Sequence, residues 1–133
     1  MIDHLGIEVA DYARSRAFYT RVLAPLGHGV VMEVTREMSG GYAGCGFGPP
    51  HRPHFWVGKG SGEPGRGSHI AFTAGSRAQV DAFHAEALAA GARDNGAPGL
   101  RPQYHEHYYA AFVIGPDGHN LEAVCHQPEG HHA

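Results

Sequence analysis

The 133-residue sequence lacks the features that mark several broad classes of protein. It has no basic helix or run of lysines and arginines, and its net charge of −3 gives no electrostatic reason to expect a nucleic-acid partner. No apolar run approaches the roughly 18 residues of a membrane span, so no membrane association is expected. The N-terminal residues lack a signal-peptide pattern, and together these absences predict a cytoplasmic protein.

Cysteine is also scarce: Cys45 and Cys125 are far apart, and no CxxC pair is present. Two distant cysteines predict reduced thiols rather than a disulfide framework. Histidine, by contrast, occurs 12 times, so each histidine has to be judged by its place in a strand or a loop. An apolar content of 42% is enough for a core, and the length predicts one domain, 1–133, or two small halves that share a core.

A strand, a helix cap and a helix follow one another from residue 67 to residue 91, and the same unit opens the chain. Ser76 has the position of an N-cap, with Gln79 three residues later as in a capping box. Four landmarks of this unit have a counterpart with the same role 65 residues earlier. The pairs are His69 with His4, Ser76 with Asp11, Phe83 with Phe18, and Leu88 with Leu23. Four matches in register predict a duplicated module.

Each half of the chain has the pattern of a β-α-β-β-β module. The modules span 1–58 and 67–126, and the glycine-rich segment 59–66 is predicted to link them. In the first half the pattern predicts a strand over 2–10, a helix over 13–26 and strands over 29–36, 42–48 and 54–58. In the second half it predicts a strand and a helix between 67 and 91, and strands over 108–115 and 119–126.

The segment 93–107 is long and rich in glycine and proline, and its structure is left open by the sequence. It is either a lid or binding loop, or a weak strand. Tyr104, His105 and His107 give it titratable side chains, so a lid would bring a proton donor to a site. The alternative is a solvated loop whose aromatic side chains cover the sheet.

Three residues on the predicted strands suggest a metal site. His4 and His69 hold equivalent places in the two modules, and Glu122 alternates with apolar residues in the last strand. A buried carboxylate is costly unless it is paired or bound to a metal. If a pseudo-twofold axis relates the modules, both imidazoles point into one concavity that Glu122 completes. Two histidines and one carboxylate suit Fe(II), Mn(II), Ni(II) or Zn(II), with open positions for a substrate that has two neighbouring oxygens.

These residues resemble a known family. The duplicated module, the strand histidines His4 and His69, the Phe18-Tyr19 pair and PDGHNLEAV near the end are similar to the vicinal oxygen chelate superfamily. That superfamily includes glyoxalase I, extradiol dioxygenases, fosfomycin-resistance enzymes and bleomycin-binding proteins. The resemblance covers about residues 2 to 126. It implies that His4, His69 and Glu122 match metal-ligand positions, and it implies a twofold homodimer.

The sequence departs from glyoxalase I-like members at one position. Aligning the fourth strand with the last one puts Trp56 at the counterpart of Glu122, and tryptophan cannot bind a metal. The site therefore has at most three protein ligands, unless His54 or Glu8 joins it. Glu8, Trp56 and Tyr109 are assigned to the substrate cavity. Glu8 is either a general base or a solvated strand end, and Trp56 is either core or a platform for substrate.

The expected fold is α+β, with two βαβββ modules whose curved mixed sheets surround a shared metal-binding cavity. The expected function is that of a divalent-metal-dependent enzyme acting on a small molecule with adjacent oxygens. Dioxygenase, lyase and transferase chemistry are all open, with Glu122, Tyr104, His105 and His107 as the catalytic candidates. The alternative is a metal-free protein that sequesters a drug, as bleomycin-resistance proteins do.

Overall fold

A computed structural model describes residues 1–63 and 68–130 of the chain. Positions 64–66 of the predicted linker, and the predicted start of the second module at residue 67, lie outside the described residues. The chain forms two compact units, Met1–Pro64 and Gly65–Ala133. Among the described residues, no helix has both the length and the apolar character needed to cross a membrane.

The first unit contains one long helix and four strands. In chain order these are β1 (Leu5–Val9), α1 (Tyr12–Leu23), a 3₁₀ turn (Ala24–Leu26), β2 (Gly29–Val34), the short helix α2 (Arg36–Ser39), β3 (Gly44–Gly48) and β4 (Phe55–Lys59). The predicted first strand is too long at its start, so His4 lies just before β1. The predicted second strand is too long at its end, because Thr35 caps α2 by accepting a hydrogen bond from the Met38 N–H.

The described part of the second unit repeats this order of strands and long helix, without a 3₁₀ turn or a short second helix. It consists of β5 (His69–Thr73), α3 (Arg77–Ala89), β6 (Arg93–Leu100), β7 (Tyr109–Ile114) and β8 (Asn120–Cys125). The two sheets have the strand orders β1-β4-β3-β2 and β5-β8-β7-β6. In both, the first strand runs parallel to the last, and the remaining neighbours are antiparallel. The predicted pair of βαβββ modules is therefore confirmed.

The helix starts follow the sequence signals. Asp11 accepts a hydrogen bond from the Arg14 N–H at 3.1 Å, and Ser76 accepts one from the Gln79 N–H at 3.3 Å. Gln79 departs from a capping box, because its Oε1 accepts from the N–H of Gly75 rather than of Ser76. Each helix buries one face on its own unit, with the buried apolar residues Phe18, Tyr19, Val22 and Leu23 in α1 and Val80, Phe83 and Ala87 in α3.

The segment 93–107 resolves into a strand and a shorter loop. Its first part forms β6, an edge strand paired with β7, and the loop is confined to residues 101–108. The pairing shifts twice, between Asp94 and Gly96 and between Gly96 and Gly99. Glycine, proline and bulges are tolerated at sheet edges. The composition that indicates a loop is therefore also compatible with this irregular strand.

Candidate functional site

Glu122 lies in the middle of β8 and is almost fully buried, with 2% of its surface exposed. It pairs with Ala71 of β5 and Phe112 of β7, so these residues share one face of the sheet. Leu121 and Ala123 point to the opposite face and are fully buried. The alternation that the sequence shows in this strand therefore places a carboxylate on one face and apolar side chains on the other.

His69 and Glu122 form an ion pair across the parallel strands β5 and β8. The distance from His69 Nε2 to Glu122 Oε1 is 2.8 Å, and His69 Nδ1 lies 3.2 Å from the backbone oxygen of Asn120. Because a backbone oxygen only accepts, Nδ1 carries a proton and Nε2 is the nitrogen that faces the carboxylate. The imidazole also stacks on Phe112, with the ring centroids 6.0 Å apart.

Tyr108 binds the other oxygen of the same carboxylate. Its hydroxyl donates to Glu122 Oε2 at 2.5 Å. Burial, followed by the hydrogen bond to Glu122 and its charge, raises the pKa of Tyr108 to about 12. The phenol therefore stays protonated near neutral pH and remains a donor. Sequence reasoning missed Tyr108, although it lies two residues before Ala110 and four before Phe112, which is the spacing of residues on one strand face.

The loop 101–108 brings two of the predicted loop residues close to Tyr108. The ring centroids of Tyr104 and His105 lie 4.9 Å and 5.5 Å from that of Tyr108. His105 Nδ1 accepts from the backbone N–H of His107, so its Nε2 carries the proton and donates to His126 Nδ1 at 2.8 Å. His126, the residue that follows β8, is a further member of this cluster.

His107 and Tyr109 do not join this group. The ring of His107 lies beside Glu106, with 3.5 Å between Nε2 and Oε1. Tyr109, predicted to line the substrate cavity, lies instead on the helix side of the sheet, where its hydroxyl donates to Asp81 of α3 at 2.6 Å. The cause is the strand period of two, which sends Tyr108 and Tyr109 to opposite faces. The assignment of Tyr109 to the cavity is therefore corrected.

The predicted site residues of the first unit lie on β1 and β4 or beside them. His4 precedes β1, and its Nδ1 lies 2.8 Å from Asp3 Oδ1. Trp56 pairs with Gly6 of β1 as Glu122 pairs with Ala71 of β5, so the two hold the same place in the repeat. Glu8 lies on the Trp56 face of β1, where its side chain fills the space that a Cβ on Gly60 would take.

The pair His69 and Glu122 fits a divalent metal as two of its ligands. A metal-bound histidine commonly donates its second N–H to a backbone oxygen, as His69 does to Asn120, and a ligating carboxylate is itself hydrogen-bonded, as Glu122 is by Tyr108. His69 and Glu122 would together hold such a cation, and the cation would supply positive charge to a substrate oxygen. Among residues 1–63 and 68–130, no group of three or more His, Cys, Asp and Glu side chains is arranged to hold a metal.

Comparisons with known proteins agree with this architecture. A family model described as the Glyoxalase/Bleomycin resistance protein/Dioxygenase superfamily matches residues 1–123. A glyoxalase/bleomycin resistance protein from Albidiferax ferrireducens is 28% identical, with 95% of this chain and 98% of that chain covered and a TM-score of 0.76. The comparison with curated proteins finds no significant match.

Two other solved structures share the fold at lower identity. A mutant of the fosfomycin resistance protein FosX from Listeria monocytogenes, complexed with Mn(II) and dihydroxypropylphosphonic acid, is 16% identical, with 93% of this chain and 90% of that chain covered and a TM-score of 0.66. A glyoxalase I mutant from Zea mays is 19% identical, with 92% of this chain and 45% of that chain covered and a TM-score of 0.70.

The repeated βαβββ units define a protein of the glyoxalase fold. The family model covers nearly the whole chain. The chain belongs to the Glyoxalase/Bleomycin resistance protein/Dioxygenase superfamily.

Proposed function

We propose that this protein is a metal-dependent enzyme that acts on a small molecule with two adjacent oxygens, by dioxygenase- or lyase-type chemistry. The observation that carries the proposal is the ion pair of His69 with the buried Glu122. We assign His4, His69 and Glu122 as its ligands, as the resemblance to the superfamily implies. Fe, Mn, Ni and Zn all suit such donors. When bound, the ion stabilises negative charge that develops on the substrate oxygens.

A relative with a bound metal ion supports the proposed metal, and the repeat limits the number of protein ligands. The FosX relative was solved with Mn(II) and a phosphonic acid that carries two hydroxyl groups. Trp56 stands at the repeat position of Glu122, so the first unit offers no carboxylate there. A site with three protein ligands leaves more room for a chelating substrate than a site with four, which disfavours glyoxalase I chemistry.

Other residues of the second unit position the Glu122 carboxylate or supply a proton. Tyr108 holds Oε2 of Glu122, which leaves Oε1 directed at His69. Tyr104 and His105 lie against the ring of Tyr108. We propose that the loop excludes water and delivers a proton from one of its residues Tyr104, His105 or His107. The His105–His126 hydrogen bond gives that loop a fixed point on the end of β8.

Metal content measured by mass spectrometry tests the proposal. After incubation with Mn²⁺ and removal of free ion, the purified protein is expected to retain about one ion per chain. Glu122→Gln and His69→Ala should lose most of it, because each removes one of three ligands. Glu37→Gln, an exposed carboxylate on α2, is the matched control and should behave as the unchanged protein.

Two outcomes would contradict the proposal. If Glu122→Gln retained the ion at unchanged affinity, Glu122 would not be a metal ligand and the proposed site would be ruled out. Absence of bound metal in the unchanged protein, under conditions in which it is folded, would favour a metal-free protein that sequesters a drug. His4→Ala completes the series, because loss of metal in this variant would assign the third ligand to the first unit.

A further inference from the structure

A cavity of about 900 Å³ lies within the first unit, and all of its lining residues belong to that unit. Volumes of roughly 300 to 1,000 Å³ are typical of small-molecule sites. Six lining side chains have the chemistry to recognise a ligand, namely His4, Tyr42, His51, Arg52, His54 and Trp56. We refer to it as the Trp56 cavity.

One wall of the Trp56 cavity is aromatic. The rings of Tyr42 and Trp56 meet edge to face, with centroids 6.3 Å apart and an angle of 72° between the planes. Trp56 is half-buried, so part of its ring is open to a ligand. Aromatic side chains held in this way offer a flat apolar surface at little cost in conformational entropy.

Glycines on β3 and β4 make room for these rings. A Cβ built on Gly46 would lie 2.6 Å from Pro53 Cβ and 3.0 Å from Trp56 Cε2, and one on Gly44 would lie 2.5 Å from the Tyr42 hydroxyl oxygen. A side chain at either position would displace a ring. The glycines of the sequence GCGFG therefore allow both rings to lie close against the sheet.

The rim of the cavity is rich in hydrogen-bond donors. Arg52 forms no ion pair with any described residue, and His51 and His54 flank it. The tight turn that carries them is fixed by the Arg52 N–H bond to Pro49 O and the His54 N–H bond to Phe47 O. His51 has a φ of 64°, an unusual conformation for a non-glycine residue that is often found at binding sites.

Among the described residues, the cavity lining contains the guanidinium of Arg52 and three imidazoles, but its one carboxylate is that of Asp3. Asp3 is already paired with His4. An anionic group is therefore the complementary ligand for this rim, and a flat ring is the complementary ligand for the wall.

We propose that the Trp56 cavity is a binding site for a planar aromatic acid, with the ring against Trp56 and Tyr42 and the carboxylate or phosphonate on Arg52. The site is complete within the first unit. This inference deepens the proposed function and rests on it in part, because His4 lines the cavity and is also assigned as a metal ligand. Benzoate binding and metal retention are measured separately, so failure of one proposal can be told from failure of the other.

Calorimetry with three small probes tests this site, and Trp56, as the single tryptophan of the chain, reports on it by fluorescence. Benzoate has both the ring and the charge, cyclohexanecarboxylate lacks the aromatic ring, and benzyl alcohol lacks the charge. Benzoate is expected to bind one equivalent per chain, with a saturable change in Trp56 fluorescence and an affinity about tenfold above that of either other probe.

Variants separate the two halves of the recognition. Arg52→Gln is expected to weaken benzoate binding about tenfold and to leave benzyl alcohol unaffected, because it removes one charged hydrogen bond. Arg52→Lys should restore part of the affinity, since it keeps the charge but not the fork of donors. Arg36→Gln, on α2 of the same unit, is the matched control. Trp56→Leu should reduce the difference in affinity between benzoate and cyclohexanecarboxylate, as measured by calorimetry.

Two results would overturn the proposal: equal binding of all three probes, or unchanged benzoate affinity in Arg52→Gln. His69→Ala and Glu122→Gln are expected to bind benzoate as the unchanged protein does. If they lose metal and keep benzoate binding, both proposals stand. If benzoate fails to bind a protein that holds its metal, only the aromatic-acid site is withdrawn.

Discussion

The hydroxyl of Tyr108 donates a hydrogen bond to Oε2 of Glu122 and so attaches the loop 101–108 to a buried carboxylate in the middle of the second sheet. The other oxygen of that carboxylate faces His69. A ligand that changes the charge or position of Glu122 therefore also changes the hydrogen bond of Tyr108, the last residue of the loop. This relationship connects the proposed metal site with the stability and the motion of the loop.

Removal of the Tyr108 hydroxyl should destabilise the second unit. In Tyr108→Phe, Oε2 of Glu122 loses its donor in a buried place, and an unsatisfied buried acceptor costs about 1 to 3 kcal/mol. Urea unfolding followed by circular dichroism measures the loss. Tyr109→Phe is the neighbouring control and should lose less, because its partner Asp81 is exposed and water replaces the bond. Equal losses in the two variants would contradict the special role of the Glu122 contact.

Stability should fall in alkaline solution. Burial is the main cause that raises the pKa of Tyr12, Tyr108 and Tyr109 from 10.0 to about 12. Above pH 10 the unfolded chain loses these protons before the folded chain does, so the unfolded state binds fewer protons. The stabilisation is fully present below pH 10 and is lost as the pH rises through about 12.

The alkaline loss can be measured by urea unfolding at a series of pH values, with phenolate absorbance recorded on the folded protein. Tyr109→Phe should show a shallower loss of stability above pH 10, because one of the tyrosines with a raised pKa is absent. Phenol titration of the folded protein with all six tyrosines at their ordinary value would refute the expectation.

The loop 101–108 is predicted to be a lid that becomes more ordered when the metal site is filled. Its residues Tyr104 and His105 contact Tyr108, and Tyr104 is 62% exposed, so few buried contacts hold it. Hydrogen exchange with and without Mn²⁺ should show added protection in this loop and little change in β6. A variant that combines Tyr104→Phe, His105→Ala and His107→Ala should keep the metal and lose turnover. Equal protection in both states would make this segment an ordinary surface loop.

A homodimer is the predicted assembly. Each sheet ends in two edge strands, and Leu5 on β1, Met32 on β2 and Leu100 on β6 are exposed apolar residues on such edges. Exposed edges of this kind favour pairing with another chain. Sedimentation velocity at micromolar concentration should give the mass of two chains. Met32→Lys and Leu100→Lys test the edges of β2 and β6, since a charge there opposes pairing. Monomer alone in the unchanged protein would contradict the prediction.

The sequence carried enough local information to predict the repeat and most of its elements. The repeat is seen in the structure, where β1 and β5 each pair in parallel with the last strand of their unit and Phe18 and Phe83 are both buried. The predicted match of Leu88 with Leu23 is wrong, because Leu88 is 39% exposed whereas Leu23 is buried. The caps Asp11 and Ser76 act on their own helices. These features depend on contacts within a few residues and on the strand period of two, both of which are visible in the chain itself.

The sequence pattern was ambiguous where distant residues decide the structure. The segment that became β6 has the composition of a loop, and the edge of β7 gave it a partner. Sequence reasoning placed Tyr109 in the cavity, whereas the sheet sends it to the helix side and brings its neighbour Tyr108 to Glu122. Strand period predicts that adjacent residues separate, but only the pairing between strands decides which of them meets the site.

The sequence by itself therefore determined the superfamily, the two βαβββ modules and the face of β8 on which Glu122 lies. The tertiary structure alone decided the contacts of that carboxylate with His69 and Tyr108, the attachment of the loop through His105 and His126, and the aromatic wall of the Trp56 cavity. The physical reason is distance along the chain. His69 and Glu122 are 53 residues apart, and such a contact exists only after the sheet has brought the two strands together.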